Sequence, residues 1–236
     1  MNICYCLNKK NESLCLLSAR SFIKHNNNVH FYIIHSELNN NFKKLFNYNA
    51  TFIKPDMSLI TNEFSRALCG FKHVSIECFL RLLIPYYIRK EDRVLYVDTD
   101  TLCLDNIREF YDTDFENMYY FVGVRGISYS DEQAKMLNLP HYINSGVLLF
   151  NNKLLNQNAY WLYMKRHWRG SLGKQKPFSA DETVINWCFH DKIKLANEKY
   201  NYCYNRNYGN RTIKCLPKIL HFVGCNKSAM LEYNYG

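Results

Sequence analysis

The segment Arg93-Val94-Leu95-Tyr96-Val97-Asp98-Thr99-Asp100 runs from four consecutive apolar residues straight into two carboxylates. An unbroken apolar run of this length fits a strand buried on both faces of a sheet. In open parallel sheets, ligands bind beyond the carboxyl ends of the strands. Alternation along an extended backbone predicts that Asp98 and Asp100 point the same way. Two hard oxygen ligands at a strand end suit Mg²⁺ or Mn²⁺, and such an ion neutralises charge on a diphosphate.

Working outward, Asn2 to Leu7 reads as a first buried strand. Leu14, Leu16, Leu17, Ala19, Phe22 and Ile23 recur at helical spacing, and Val29 to His35 is again strand-like. Leu38, Phe42, Leu45 and Phe46 predict a helix over 37–48, and Thr51 to Lys54 a third strand. This β-α-β-α-β order predicts an α/β fold with a mostly parallel central sheet flanked by helices. Residues 58–70 are irregular. A helix is expected over 74–88, with Pro85 marking its last turn. Further strands are expected at 119–124, 145–150, 193–196 and 218–223, with helices at 154–168 and 182–189 and a basic loop at 165–176. No repeat or linker divides the chain, so residues 1–236 are expected to form a single domain.

The net charge of +9 favours an anionic partner. The basic residues are scattered, which argues against a nucleic-acid stripe. The 10 cysteines form no Cys-x-x-Cys pair, so structural zinc is not expected; dispersed thiols in apolar runs read as free, in a reducing compartment. The apolar start at Met1–Leu7 is too short for a signal peptide, and no run is long enough for a transmembrane helix, so a cytoplasmic location is expected.

Four further features give the chain a family likeness. Arg81-Leu-Leu-Ile-Pro-Tyr86 precedes the Asp98-Thr99-Asp100 strand. Tyr142-Ile-Asn-Ser-Gly-Val-Leu-Leu-Phe-Asn151 follows it, then Ser179-Ala-Asp-Glu-Thr-Val-Ile-Asn186, then His221-Phe-Val-Gly-Cys-Asn-Lys227. In this order and spacing the sequence resembles glycosyltransferase family 8, which groups bacterial lipooligosaccharide galactosyl- and glucosyltransferases with the glycogenins.

The resemblance implies a GT-A fold and retaining transfer of a hexose from a UDP-sugar, UDP-glucose or UDP-galactose, to a glycan or protein hydroxyl. It implies Mn²⁺ or Mg²⁺ held by Asp98, Asp100 and His221; an imidazole in the ligand set suits Mn²⁺ better than Mg²⁺. Leu7 and Asn8 stand where the family's first strand meets the base, and Thr99 lies between the two carboxylates. Gly224 and Lys227 match a loop on the diphosphate, where glycine lets backbone approach and lysine adds charge. Arg81, Asn144, Ser145 and Asp181 match positions around the donor sugar. Asp181 also fits an N-cap, and Glu182 the first turn, of the helix that follows. Asp181 and Glu182 are the candidate catalytic carboxylates, and Glu182 is chemically capable of acting as a nucleophile.

The chain departs from the family at three places. Asn8-Lys9-Lys10-Asn11 carries no acid where the family has an aspartate, Glu182 replaces a common glutamine, and Ser228-Ala229 replaces a common Pro-Trp. Two other readings stay open. One is a sugar-nucleotide nucleotidyltransferase, against which the glycine-free Asn8–Asn11 segment counts. The other is a non-catalytic nucleotide-sugar-binding module.

Overall fold

A computed structural model describes residues 1–64, 75–126, 128–168, 180–204, 215–224 and 227–233. In chain order the elements are β1 (Asn2–Leu7), α1 (Glu12–His25), β2 (His30–His35), α2 (Phe42–Leu45), β3 (Ala50–Ile53) and α3 (Ser58–Phe64). A 3₁₀ helix at Ile76–Leu83 leads into α4 (Ile84–Tyr87), β4 (Arg93–Val97), β5 (Thr101–Cys103), α5 (Arg108–Tyr111) and β6 (Phe121–Arg125). Then come α6 (Ser128–Met136), β7 (Ile143–Asn151), α7 (Asn152–Gln157), α8 (Tyr160–His167), α9 (Ala180–Phe189), β8 (Ile193–Ala196), β9 (Tyr202–Cys203), β10 (Ile219–His221) and α10 (Lys227–Glu232).

The main sheet has the order β3-β2-β1-β4-β7-β6-β8. Its pairings are parallel except β4–β7 and β7–β6, which are antiparallel. Inserting one reversed strand puts the start of β7 on the same sheet edge as the ends of β1 and β4. That edge carries the site.

Both faces of the central strands are buried, which explains their continuous apolar runs. Along β4, Val94 and Tyr96 join one core while Leu95 and Val97 join the other; along β7, Leu148 and Phe150 alternate with Val147 and Leu149 in the same way. α1 covers one face through Cys15, Ala19 and Phe22, spaced three and four apart. α9 and the 3₁₀ helix cover the other through Val184, Ile185, Phe79 and Leu83. A smaller sheet, β5-β10-β9, lies beside β4, with His221 paired antiparallel to Thr101.

Several sequence expectations change. The helix expected over 37–48 contracts to α2, because Asn39, Asn40 and Asn41 compete locally with helical hydrogen bonding; Phe42 and Phe46 are still buried. Pro85 opens α4 instead of ending a helix, since a proline lacks only a donor that the first turn leaves unpaired anyway. The helix expected over 154–168 is two helices, broken at Ala159, whose φ is 47°. Asp181 lies inside the first turn of α9, which begins at Ala180, and so is not its N-cap. The strands β5 and β9 and the helices α5, α6 and α10 have no counterpart in the sequence reading; α3 occupies 58–64 of the stretch read as irregular, and the helix expected over 74–88 is a 3₁₀ helix followed by the short α4. Residues 65–70 of that stretch, the expected basic loop beyond Trp168, Cys69 and Cys225 lie outside the described residues. The eight cysteines among the described residues are free thiols. Among the same residues no helix is long and apolar enough to cross a membrane.

Phe150 is buried in β7 and meets Phe121 edge-on, with ring centroids 5.0 Å apart. Phe150→Ala removes a core aromatic from the central strand pair and is expected to cost about 3–5 kcal/mol. Urea unfolding measures this as a lower midpoint at unchanged slope.

Candidate active site

Asp98 follows β4, and its backbone N–H donates to the Gly146 carbonyl at 2.7 Å, extending the β4–β7 ladder by one residue. Thr99 and Asp100 then form a turn, so the two carboxylates converge through a bend and not through strand alternation. The β5–β10 pairing delivers His221 to the same point: Thr101 is its register partner, and the Phe222 N–H donates to the Asp100 carbonyl at 2.9 Å. One ligand atom from each of Asp98, Asp100 and His221 lies within 4.8 Å of the others. His221 Nε2 is 3.6 Å from Asp98 Oδ2 and 3.5 Å from Asp100 Oδ1. Those separations are too long for good hydrogen bonds.

Two observations indicate that the site fits a cation. The residue facing it is Gly146, where a Cβ would stand 2.2 Å from His221 Cε1 and 2.7 Å from Asp98 Oδ2. Any other residue would push into the ligand set. The electrostatics agree. Burial alone would lower the His221 imidazole, but its interaction with Asp100 and with Cys203 outweighs burial and raises it to about 10. Burial likewise pushes Asp100 up, yet His221 and Lys227 hold it down at about 2. The surroundings of His221, Asp100 foremost, therefore favour positive charge at this point.

Behind this cluster sits a buried guanidinium. Arg81, on the 3₁₀ helix, places NH2 3.0 Å from Asp98 Oδ1 and Nε 3.0 Å from Asp181 Oδ2. Its NH1 donates to the Ser145 carbonyl at 2.8 Å and to Ser145 Oγ at 3.0 Å. The guanidinium also stacks over the Tyr96 ring, 4.3 Å from its centroid, and the Tyr96 hydroxyl donates to Asp98. Burial works against the Arg81 charge, but Asp181 and Asp98 more than compensate and raise its pKa further.

The β7 edge adds an amide and two more carboxylates. Glu182 Oε2 accepts from Asn144 Nδ2 at 2.9 Å and from the Ser145 N–H at 3.0 Å. Ser145 Oγ donates to Asp181 at 3.0 Å. Burial raises both acids, Glu182 to about 8, so Glu182 titrates near neutrality.

Lys227, the first residue of α10, sits 3.2 Å from Asp100 Oδ2 with about half of its side chain exposed. Gly224 adopts φ +69°, a backbone that L side chains rarely adopt, and nothing crowds its Cβ position. Thr99 is buried within the turn. Leu7 ends β1 and Asn8 follows it, on the same edge as Asp98, since β1 and β4 are parallel neighbours. Asn8 also hydrogen-bonds Glu77, whose carboxylate accepts from Ser36 Oγ at 2.7 Å. The structure thus brings Arg81, Asp98, Asp100, Asn144, Ser145, Asp181, Glu182, His221 and Lys227 into one connected cluster, with Asn8 on the same edge. Sequence reading missed Gly146, Tyr96, Glu77 and Asn201. Gly146 could have been found from the Asn144-Ser-Gly run; nothing in the local sequence flags the others.

The sequence pattern described as Glycosyl transferase family 8 matches residues 2–228. The chain belongs to that family. Among its relatives is the lipopolysaccharide glucosyltransferase WaaO of Escherichia coli, 26% identical over 96% of this chain and 72% of that protein. Another is glycosyltransferase GlyA of Streptococcus pneumoniae, 24% identical over 90% of this chain. The chain spans only 30% of the length of GlyA. The crystal structure of galactosyltransferase LgtC with donor and acceptor sugar analogs superposes with a TM-score of 0.83 at 18% identity, covering 98% of this chain and 94% of LgtC. The shared architecture is the GT-A fold, and this family 8 transferase is a glycosyltransferase.

Removing the guanidinium leaves the buried Asp181 beside Asp98 without its cationic partner. Arg81→Leu is therefore expected to cost about 3–5 kcal/mol at neutral pH. Burial already raises Asp181, and without Arg81 the opposing interaction is lost, so its folded-state pKa lies above the unfolded one and stability in the variant falls as pH rises. Chemical denaturation of the variant against wild type is expected to show a smaller deficit at acid pH than at pH 8.

Proposed function

We propose that this transferase moves a hexose from a UDP-sugar to a hydroxyl acceptor with retention of configuration, and that Asp98, Asp100 and His221 hold Mn²⁺ or Mg²⁺. The observation that carries this reading is the convergence of those three ligand atoms, opposite a glycine, on the sheet edge where nucleotide ligands bind in such folds. When bound, the ion supplies Lewis-acid neutralisation of the diphosphate that departs.

The chain's own groups divide the remaining work. Lys227 carries a half-exposed ammonium at the mouth of the site and pairs with the diphosphate oxygens; the Gly224 backbone lets the chain approach them closely. Arg81 fixes Asp98 and Asp181 beside the sugar and opposes the effect of burial on Asp181. Asn144 and Asp181 hydrogen-bond the sugar hydroxyls and orient the anomeric carbon. Leu7 and Asn8 border the base. The engagement of Glu182 Oε2 with Asn144 and the Ser145 N–H supports an orienting role for Glu182 over that of a nucleophile. Retention then arises from front-face departure and attack, or through Asp181. WaaO and LgtC are named for glucosyl and galactosyl transfer, which supports a hexose donor. The residues 1–236 act as one catalytic unit in this reading.

Release of UDP from UDP-glucose and UDP-galactose, followed with and without Mn²⁺, tests the proposal. Asp100→Asn is expected to abolish Mn²⁺-dependent release while the protein remains folded. Chelation is expected to do the same to wild type, and full activity after chelation would sink the metal assignment. Lys227→Ala is expected to weaken UDP binding by about tenfold or more, as befits a lost charge-assisted hydrogen bond, and uridine binding hardly at all. Equal losses for UDP and uridine would exclude a phosphate role. Glu182→Gln separates the two roles of that residue: turnover within about tenfold of wild type is expected for orientation, against several orders of magnitude of loss for a nucleophile.

A further inference from the structure

His221 is held from behind by a chain of buried amides that no motif announces. Its Nδ1 lies 2.9 Å from Asn201 Oδ1. Asn201 Nδ2 donates to Asn144 Oδ1 at 2.9 Å. Asn144 in turn donates to Glu182 Oε2 at 2.9 Å, and its Oδ1 accepts from the Gly146 N–H at 3.1 Å. Asn201, Asn144 and His221 are all buried.

The direction of the bonds in this chain is fixed at the Gly146 N–H, which cannot be reversed. A backbone N–H only donates, so the Gly146 N–H demands an oxygen from Asn144. Glu182 Oε2 already accepts from the Ser145 N–H, and Asn144 therefore turns its amide nitrogen to that carboxylate. With its oxygen facing inward, Asn144 can only accept from Asn201. Asn201 is thereby compelled to show its nitrogen to Asn144 and its oxygen to His221. An oxygen at that place requires the hydrogen on Nδ1. Nε2, the atom that faces Asp98 and Asp100, is left as the ligating nitrogen.

We propose that Asn201 is a positioning residue for the metal site. It fixes the orientation and tautomer of His221 through an amide relay anchored at the Gly146 N–H and the Glu182 carboxylate, so that Nε2 is presented to the cation. This inference rests on the metal reading of Asp98, Asp100 and His221 given above. The juxtaposition comes from three distant segments: β7 supplies Asn144, the residue before β9 supplies Asn201, and β10 supplies His221. Asn201 itself ends a 3₁₀ turn, with its backbone N–H donating to the Glu198 carbonyl at 3.1 Å. Its side chain is thus aimed by a structure independent of the metal ligands.

The experiment measures Mn²⁺ binding directly, by calorimetry or by the electron paramagnetic signal of free Mn²⁺, on the whole chain without donor. Thermal melting in a chelator is recorded alongside. Loss of a group that orients a ligating histidine typically costs 10–100-fold in metal affinity. Asn201→Leu and the smaller Asn201→Ser are therefore expected to lose about 10-fold or more in Mn²⁺ affinity. Asn201→Asp keeps an oxygen on Nδ1 but loses the donor to Asn144 Oδ1, and is expected to retain more Mn²⁺ affinity than Asn201→Leu or Asn201→Ser, since its hydrogen bond to the imidazole persists. Turnover in Asn201→Ser is expected to recover at saturating Mn²⁺, because the residue acts through the ligand and not on the substrate. A folded Leu or Ser variant with wild-type Mn²⁺ affinity overturns the positioning role. Equal weakening by Ser and Asp overturns the tautomer argument. Absence of Mn²⁺ binding by wild type overturns the metal reading beneath it, and is distinguishable because it requires no variant.

Discussion

The Arg81 guanidinium is the contact on which the active-site edge depends. It is buried between two carboxylates that would otherwise repel one another, and it reaches the β4 end, the start of β7 and the first turn of α9 at once. Taking an arginine out of water is costly, and the expense is offset only where its donors are nearly all matched. Here Asp98, Asp181, Ser145 and the Cys78 carbonyl match them, and the Tyr96 ring covers its face. Losing one partner would leave the others uncompensated, so these segments cannot shift independently. The rigidity is useful to a transferase, whose main task is to hold donor and acceptor in a fixed relation.

The second constraint is that cationic and anionic groups alternate across the site. Lys227 faces Asp100, which faces His221, which faces Asp98, which faces Arg81, which faces Asp181. Each acid is flanked by positive charge, and a divalent ion would enter a place where charge is already partly balanced. Lys227 is the most solvent-accessible member of this row, which leaves it available to an incoming phosphate at little desolvation cost.

Much of this was legible in the sequence, and the limits have physical reasons. The central strands could be read because burial on both faces leaves no polar residue to confuse the pattern, as in Val94–Val97 and Val147–Phe150. The helix expected near Phe42 failed because its apolar spacing was real while the Asn39–Asn41 cluster shortened the helix; burial and helicity had been treated as one property. The convergence of Asp98 and Asp100 was anticipated for the wrong reason, since a turn and not strand alternation brings them together. Motifs identified Asn144, Asp181 and His221, yet could not show that Asn201 links two of them. A buried amide among tyrosines carries no periodicity, and only the register of β9 against β10 gives it a role. Glu77 escaped for a related reason: it lies far from Asn8 in sequence and meets it only at the sheet edge.

The pairing of β5 with β10 also bears on how the molecule comes to be. It joins residues 101–103 to residues 219–221, while the β1–β2–β3 half closes through short crossovers. Contacts so distant along the chain form slowly, and an emerging polypeptide folds its amino-terminal portion first. A nascent chain thus acquires both aspartates long before it has the histidine. During that interval Asp98 already has Arg81 as its counter-charge, while Asp100 still lacks both His221 and Lys227. The cluster of Asp98, Asp100 and His221 is complete only once β10 has paired with β5.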